Sequence, residues 1–335
     1  MTLKLAINGF GRIGRNVLRA LHESGQNDLE IVAINDLSAT DNLAHLLKYD
    51  SVHGRFPGKV TSTKNSINIG NGDIEVTAIR DLKDQNWADN KVDIVLECTG
   101  FFTARDAAAG HLDAGAKRVL ISAPGKGVDN TVVYGVNHDT LTKDHVIVSN
   151  GSCTTNALAP VAKVLHDTFG IEKGFMTTVH AYTGNQPTLD TINKDFNRGR
   201  AAAISMIPTS TGAAKAIGLV MPELAGKLDG KAIRVPTPNV SVVDLVVNTN
   251  KPATVEAVNA ALAKAANGEL KDILQYLEDK VVSIDLNHDP HSSSVVPEET
   301  VCMGDNMVRV LSWYDNEWGF SNRMLNTARA MGKFL

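Results

Sequence analysis

The chain has 335 residues, 43% of them apolar and 21% charged, with a formal net charge of −4. One core rarely grows beyond about 250–300 residues, so the length predicts two domains. The apolar content excludes a disordered chain, and the weak negative charge gives no support for a nucleic-acid or acidic-membrane partner.

Leu3 to Ile7 is apolar apart from Lys4 and stops at Asn8-Gly9. Ile13, Val17, Leu18 and Leu21 then recur at helical spacing, which predicts strand, glycine-rich turn and helix in succession. The break at Asn8-Gly9 argues against a signal peptide, and no apolar run is long enough to span a bilayer. Cys98, Cys153 and Cys302 are few, odd in number and far apart. They form neither a disulfide framework nor a zinc pattern, so no metal is expected and a reducing compartment, the cytoplasm, is the default.

Glu30 to Asn35 reads as a second buried strand ending at Asp36, and Val92 to Leu96, Arg118 to Ile121 and His145 to Val148 read as further ones. The first 150 residues thus predict an open α/β sheet. Ala157 to Phe169 has a helical pattern. After it the texture changes. Met176 to His180, Lys231 to Val235 and Ser241 to Asn248 are rich in β-branched residues and predict longer strands. Ala181 to about Arg200 lacks regular pattern, and long irregular loops in compact domains usually carry function. Thr254 to Ala266 and Asn322 to Leu335 predict helices. No internal repeat or low-complexity segment is present.

Gly9, Gly11 and Gly14 form G-x-G-x-x-G between a strand and a helix, and Asp36 follows Gly14 by 36 − 14 = 22 residues. This context favours a dinucleotide site over an empty glycine turn. Gly9 permits the turn, Gly11 admits the pyrophosphate, and Gly14 lets the helix pack on the strand. Free N–H groups at the helix start suit phosphate oxygens. Asp36 would accept from the ribose hydroxyls and repel a 2′-phosphate, which favours NAD over NADP.

Cys153 lies in Ser149-Asn150-Gly151-Ser152-Cys153-Thr154-Thr155-Asn156, at the expected start of a helix. Its neighbours are small and polar, and the helix dipole favours a thiolate. Cys98 and Cys302 stand in apolar, strand-like surroundings and read as ordinary core thiols. His180 closes the MTTVH strand, well placed to serve Cys153 as general base and ion-pair partner.

Taken together, GFGRIG, SCTTN, TTVHAYTG, PTSTGAAKA, RVPTPNVSVVDL and WYDNEWG resemble the motif set of the phosphorylating glyceraldehyde-3-phosphate dehydrogenases, from residue 9 to residue 319. The resemblance implies an α/β fold. A Rossmann-type NAD-binding domain over residues 1–150, rejoined by a C-terminal helix at about 317–335, accompanies an α+β catalytic domain with a mixed sheet over 151–316. It implies an enzyme that oxidises D-glyceraldehyde 3-phosphate with NAD and inorganic phosphate to 1,3-bisphosphoglycerate in central glucose metabolism. It also implies a homotetramer, with the Ala181 to Arg200 loop near a neighbouring cofactor site.

Residue by residue, the resemblance makes Cys153 the nucleophile and His180 its base. Ser152, Thr154, Thr211 and Gly212 correspond to the inorganic phosphate site. Thr183 and Arg234 correspond to the site for the substrate's own phosphate. Arg12, Ile13, Asp36, Arg80, Thr99, Ser122 and Asn316 correspond to cofactor contacts, with Asn316 on the nicotinamide carboxamide. Arg198 and Arg200 receive no role. Gly151 replaces the family's usual alanine, Phe320 its usual tyrosine, and Thr191-Ile192-Asn193 a stretch near the adenosine ribose that often carries proline and histidine.

An erythrose-4-phosphate dehydrogenase would share SIDLNHDPHSS and DNEWGF, but AYTGNQ with Thr183 and STGAAKA are of the phosphorylating type. A semialdehyde dehydrogenase would lack WYDNEWG and RVPTPN. An NAD-binding surface or adhesion protein is the non-enzyme alternative, and an intact cysteine–histidine pair speaks against lost catalysis.

Overall fold

The computed structural model describes residues 2–335; Met1, at which the expected first domain begins, lies outside them. The chain divides into two compact units. One holds the residues up to Val132 together with His138–Gly151 and Ser321–Leu335, and the other holds Val133–Asn137 and Ser152–Phe320.

The main sheet of the first unit has nine strands: β1 (Leu3–Asn8), β2 (Leu29–Asn35), β3 (Thr61–Ser62), β4 (Ser66–Asn68), β5 (Asp73–Thr77), β6 (Ile94–Glu97), β7 (Arg118–Ile121), β8 (Asn130–Thr131) and β9 (Ile147–Ser149). Their spatial order is β8-β9-β7-β6-β1-β2-β5-β4-β3. Pairing is parallel from β8 to β5 and antiparallel in the β5-β4-β3 meander. Ala6, Ile7, Ile94 to Leu96 and Val119 to Ile121 are wholly or almost wholly shielded, as parallel strands covered on both faces require. The chain builds outward from β1 through β2, then returns to place β6 on its other side. That reversal opens a crevice at the carboxyl ends of β1, β2 and β6, as in Rossmann-type sheets.

Helix α1 (Arg12–Ser24) follows β1, buries Val17, Leu18, Ala20 and Leu21, and ends at Gly25, whose φ of 62° supplies a left-handed cap. The strand expected over His145 to Val148 begins only at Ile147, because Asp129 Oδ2 takes the N–H groups of Val146 and Ile147 at 2.9 and 2.8 Å. Thr40–Lys48 is helical and β5 is a strand, two elements that the sequence pattern left unassigned.

The second unit carries β10 (Ile171–Ala181), β11 (Ile207–Ser210), β12 (Leu228–Val235), β13 (Ser241–Thr249), β14 (Leu274–Tyr276), β15 (Ser293–Val295), β16 (Val301–Met303) and β17 (Met307–Tyr314). The order is β11-β12-β10-β13-β17-β15-β14, with β16 also on β17. β10 pairs parallel to β12 and antiparallel to β13, so the sheet is mixed. Helices α2 (Cys153–Phe169), α3 (Ala213–Val220) and α4 (Val255–Ala266) share one core with it, among them Leu158, Leu165, Met176, Ile217, Leu245 and Leu262. The α/β class with a mixed second sheet is as the sequence predicts. β10 is longer than its MTTVH signal, because Ile171 to Phe175 continue the ladder against β13. Residues 182–206 contain no helix or strand. This segment is held by its own bonds, including Thr191 N–H to Gly199 O and Ala201 N–H to Asp190 Oδ1.

The C-terminal helix spans Trp318–Gly332 and starts four residues before Asn322. Asp315 Oδ1 accepts from the N–H groups of Glu317 and Trp318 at 2.9 and 2.7 Å, which caps the earlier start. Its later part belongs to the first unit. There Thr327 donates to Asn150 Oδ1 at 2.7 Å and Arg329 pairs with Asp28 at 2.6 Å.

Candidate active site

The crevice of the first unit, about 410 Å³, is lined by Asn8, Gly9, Gly11, Asn35, Asp36, Leu37, Ile79, Arg80, Cys98, Thr99, Phe101 and Phe102. The three glycines of the motif differ in what demands them. Gly9 has φ of 92°, and a Cβ there would stand 2.7 Å from the Thr99 nitrogen. A Cβ on Gly14 would stand 2.3 Å from Gly9 O, so α1 can approach β1 only without one. Gly11 is different: an added Cβ would meet nothing within 4 Å. The protein's own packing does not require glycine there, but backbone approach by a pyrophosphate does. These residues fit a dinucleotide.

Asp36 is oriented by its own turn. Its Oδ2 accepts Phe10 N–H at 2.9 Å and its Oδ1 accepts Ser38 N–H at 3.0 Å. Each oxygen retains a lone pair for a ribose hydroxyl. Of the other sequence-proposed cofactor residues, Arg80 and Thr99 line the crevice, and Ile13 lies in the first turn of α1. Arg12 pairs its guanidinium with Asp50. Despite the cost of burial, that contact and the amides of His53 and Val52 hold the Asp50 carboxyl down at about 2. Ser122 follows β7, donates its N–H to Glu97 O at 2.9 Å, and bonds the Cys98 thiol. Desolvation and the adjoining Glu97 push that thiol up to about 12, which disfavours its thiolate.

In the second unit, Ser152 caps α2 by accepting Thr155 N–H at 3.1 Å, which places Cys153 at the first helical position. Cys153 Sγ lies 3.5 Å from His180 Nε2. His180, at the end of β10, is 3% exposed. Its Nδ1 stands 2.7 Å from the Ala181 carbonyl, which can only accept, and 2.9 Å from Arg234 Nη1, which can only donate, while Nε2 faces the sulfur. Arg234, paired with His180 in the β10–β12 register, donates to the same carbonyl at 2.9 Å.

Burial, and next to it the Arg234 charge, push His180 down to about 3. Burial likewise raises the Cys153 thiol, against the pull of Arg234, the Thr154 hydroxyl and the amides at the helix start. Burial thus disfavours both charged partners of the ion pair that the sequence suggested, the thiolate and the imidazolium. Desolvation of both groups, which penalises separated charge, is the reason.

Thr154 Oγ1 lies 4.0 Å from Cys153 Sγ and shares a 2.8 Å bond with the Tyr314 hydroxyl. Tyr314 is buried, also touches Thr178 Oγ1 at 3.0 Å, and meets the His180 ring edge-on. Thr183 donates to Asn185 Oδ1 at 2.8 Å, three residues beyond His180. Thr211 accepts Ala213 N–H at 3.2 Å and, with Gly212, forms the start of α3. Asn316 Oδ1 accepts from Ser241, whose hydroxyl accepts Ala181 N–H, so Asn316 keeps its amide NH2 as donor. Tyr314 and Ser241 were not singled out by sequence reasoning, and Arg198, whose charge reaches His180 and Arg234, was named there without a role. The only signal for Tyr314 is its place in WYDNEWG, and nothing local marks the other two. Gly151 takes φ of 66°, the left-handed region, which suits glycine better than alanine.

Among the described residues no group of side chains has metal-binding geometry, and no helix is long and apolar enough to cross a membrane.

Residues 3–105 match the family described as "Glyceraldehyde 3-phosphate dehydrogenase, NAD binding domain", and residues 152–316 match "Glyceraldehyde 3-phosphate dehydrogenase, C-terminal domain". The chain is 64% identical to the glyceraldehyde-3-phosphate dehydrogenase of Cereibacter sphaeroides over 335 residues, covering all of both chains. It is 63% identical to that of Xanthobacter flavus, covering 99% of both. It is 56% identical to that of Geobacillus stearothermophilus, covering 98% of both. The chain belongs to the glyceraldehyde-3-phosphate dehydrogenase family, NAD-dependent oxidoreductases.

Proposed function

We propose that the protein oxidises D-glyceraldehyde 3-phosphate and conserves the energy as 1,3-bisphosphoglycerate, with Cys153 as nucleophile and His180 as base. The observation that carries this reading is the 3.5 Å approach of Cys153 Sγ to His180 Nε2 beside the Arg234 guanidinium. NAD supplies the hydride acceptor. The crevice of the first unit would hold it, with Gly9, Gly11, Gly14, Arg12 and Ile13 about the pyrophosphate and Asp36 on the adenosine ribose. Arg80, Thr99 and Ser122 complete that set, and Asn316 would hold the nicotinamide carboxamide. The exposed rings of Phe101 and the side chain of Leu37 suit the adenine faces.

His180 takes the thiol proton as sulfur attacks the aldehyde carbon and returns it to the resulting alkoxide, and a hemithioacetal forms. The same imidazole then takes the hydroxyl proton as hydride departs, and the C–O bond becomes the carbonyl of a thioester. The Cys153 N–H and His180 stand as donors to the oxyanion. An oxygen of inorganic phosphate attacks the thioester, the C–S bond breaks, and the thiolate returns with release of the acyl phosphate. Ser152, Thr154, Thr211 and Gly212 are assigned to the attacking phosphate, and Thr183 and Arg234 to the substrate phosphate. In this reading the first unit is the nucleotide domain and the second the catalytic domain.

The assembly expected is a homotetramer. Leu189, Ile192, Phe196, Ile204 and Met206 all expose most of their apolar surface on the 182–206 segment, which supports an interface there. The three free cysteines support the cytoplasm as its compartment.

The deciding assay follows NADH formation with glyceraldehyde 3-phosphate and with erythrose 4-phosphate, each with and without inorganic phosphate. Turnover on the triose that requires phosphate upholds the reading. Preference for the tetrose without phosphate overturns it in favour of the sister enzyme.

A further inference from the structure

A continuous chain of hydrogen bonds runs through the polypeptide beneath the crevice of the first unit. From one side, the Trp87 indole N–H donates to His111 Nδ1 at 3.0 Å, and His111 Nε2 lies 3.1 Å from Glu97 Oε2. An indole N–H only donates, so His111 must accept at Nδ1 and donate from Nε2. From the other side, Ile79 N–H and the Thr77 hydroxyl donate to Asn35 Oδ1 at 2.8 and 2.9 Å. Asn35 Nδ2 donates to Asn8 Oδ1 at 2.8 Å, and Asn8 Nδ2 donates to Glu97 Oε2 at 2.6 Å. The other carboxylate oxygen, Oε1, accepts both the N–H (2.8 Å) and the hydroxyl of Thr99. That hydroxyl in turn accepts Phe101 N–H at 3.0 Å.

Both arms of the chain have a fixed direction, set at their ends by donors that cannot reverse: an indole and a backbone amide. They converge on Glu97, which is 1% exposed and receives four donors. Each carboxyl oxygen thus accepts two donors, Asn8 and His111 on Oε2 and the N–H and hydroxyl of Thr99 on Oε1. A neutral amide in its place could not be accommodated by relaxation. Turning Asn8 over would set its NH2 against that of Asn35, and moving the His111 proton to Nδ1 would set it against the Trp87 indole. Asn8, Asn35, Ile79, Thr99 and Phe101, all held by this network, line the crevice.

We propose that Glu97 is a positioning residue for the dinucleotide. Its buried carboxylate locks the ends of β1, β2 and β6 and the Thr99–Phe101 turn into the geometry that binds NAD. The proposal rests on the reading of that crevice as the NAD site.

The test is NAD affinity by calorimetry on wild type and Glu97→Gln, with Cys153 alkylation measured alongside. Weakening of at least about tenfold is expected, the scale of one unsatisfied buried donor. In steady state the KM for NAD should rise more than kcat falls, while the alkylation rate stays near wild type. An affinity within twofold of wild type, whether or not the melting temperature drops, overturns the proposal. Wild type that does not bind NAD overturns the reading of the crevice as well. If Glu97→Gln does not fold, His111→Gln and His111→Leu serve instead. A glutamine can accept from Trp87 and donate to the carboxylate, so it should keep NAD affinity that leucine loses. Equal affinity in the two overturns the proposal.

Discussion

Arg234 Nη1 stands 2.9 Å from His180 Nδ1, and both groups share the Ala181 carbonyl. A fixed positive charge thus adjoins the base without taking its catalytic nitrogen. Together with burial it disfavours the imidazolium, and it is the main opposing influence on the thiol that burial has raised.

Replacing Arg234 by methionine should therefore move both groups upward. His180 loses a cation that disfavours its protonation, and Cys153 loses one that favours its thiolate. The expected result is a higher His180 titration midpoint by NMR and slower iodoacetamide alkylation of Cys153 at pH 7. An unchanged pair of values would show that the guanidinium does not act on the site.

Cys153→Ser should abolish phosphate-dependent turnover and leave NAD binding near wild type, because Cys153 is not among the residues assigned to the cofactor and serine is nearly its size. His180→Asn should slow turnover by roughly 10²–10⁴-fold, the usual weight of a general base. Alkylation of wild type should modify Cys153 before Cys98 and Cys302. Arg234, Thr154 and the helix-start amides oppose the desolvation of Cys153, whereas Glu97 adds to that of Cys98 and Glu256 to that of Cys302. Near-normal activity of the serine variant would sink the mechanism.

The glycines of the turn should separate fold from ligand. Gly14→Ala drives a Cβ to 2.3 Å from Gly9 O and should cost about 1–3 kcal/mol or more in stability. Gly11→Ala has open space around its Cβ, so its melting temperature should hold or rise slightly while NAD affinity falls. Thermal melts paired with NAD titrations read both. Unimpaired NAD binding in Gly11→Ala would mean that the pyrophosphate does not pass over this turn.

Acid should destabilise the protein through His180. Its folded value of about 3 lies below the ordinary 6.5, so between those values the unfolded chain binds more protons and stability falls as pH falls. The slope from this group is at most about 1.4 kcal/mol per pH unit. Asp50, held at about 2, adds a loss below the ordinary carboxylate range. Denaturant unfolding between pH 7 and pH 4 should show a shallower decline in His180→Asn than in wild type. Parallel curves would remove His180 from the acid response.

The sequence by itself determined the strand–turn–helix around GFGRIG, the parallel apolar strands of the first half, and the helix that starts at Cys153. Those signals are local: glycines at fixed spacing, and apolar runs whose period matches a strand or helix. It determined the family as well, because the motifs are short, contiguous and jointly specific. Short elements stayed illegible. β9 shrinks because Asp129, far back in the chain, takes its first amides, and the C-terminal helix begins early because Asp315 caps it.

Only the tertiary structure decided the states and partners of the site groups. That Arg234 lies across from His180 follows from strand register, which no local pattern encodes. The downward shift of His180 follows from burial, a property of the packed unit. The all-acceptor role of Glu97 follows from donors contributed by Asn8, Thr99 and His111, whose convergence depends on β1 and β6 lying side by side. Chemistry of residue types is written along the chain; protonation and hydrogen-bond direction arise only when distant segments share one low-dielectric interior.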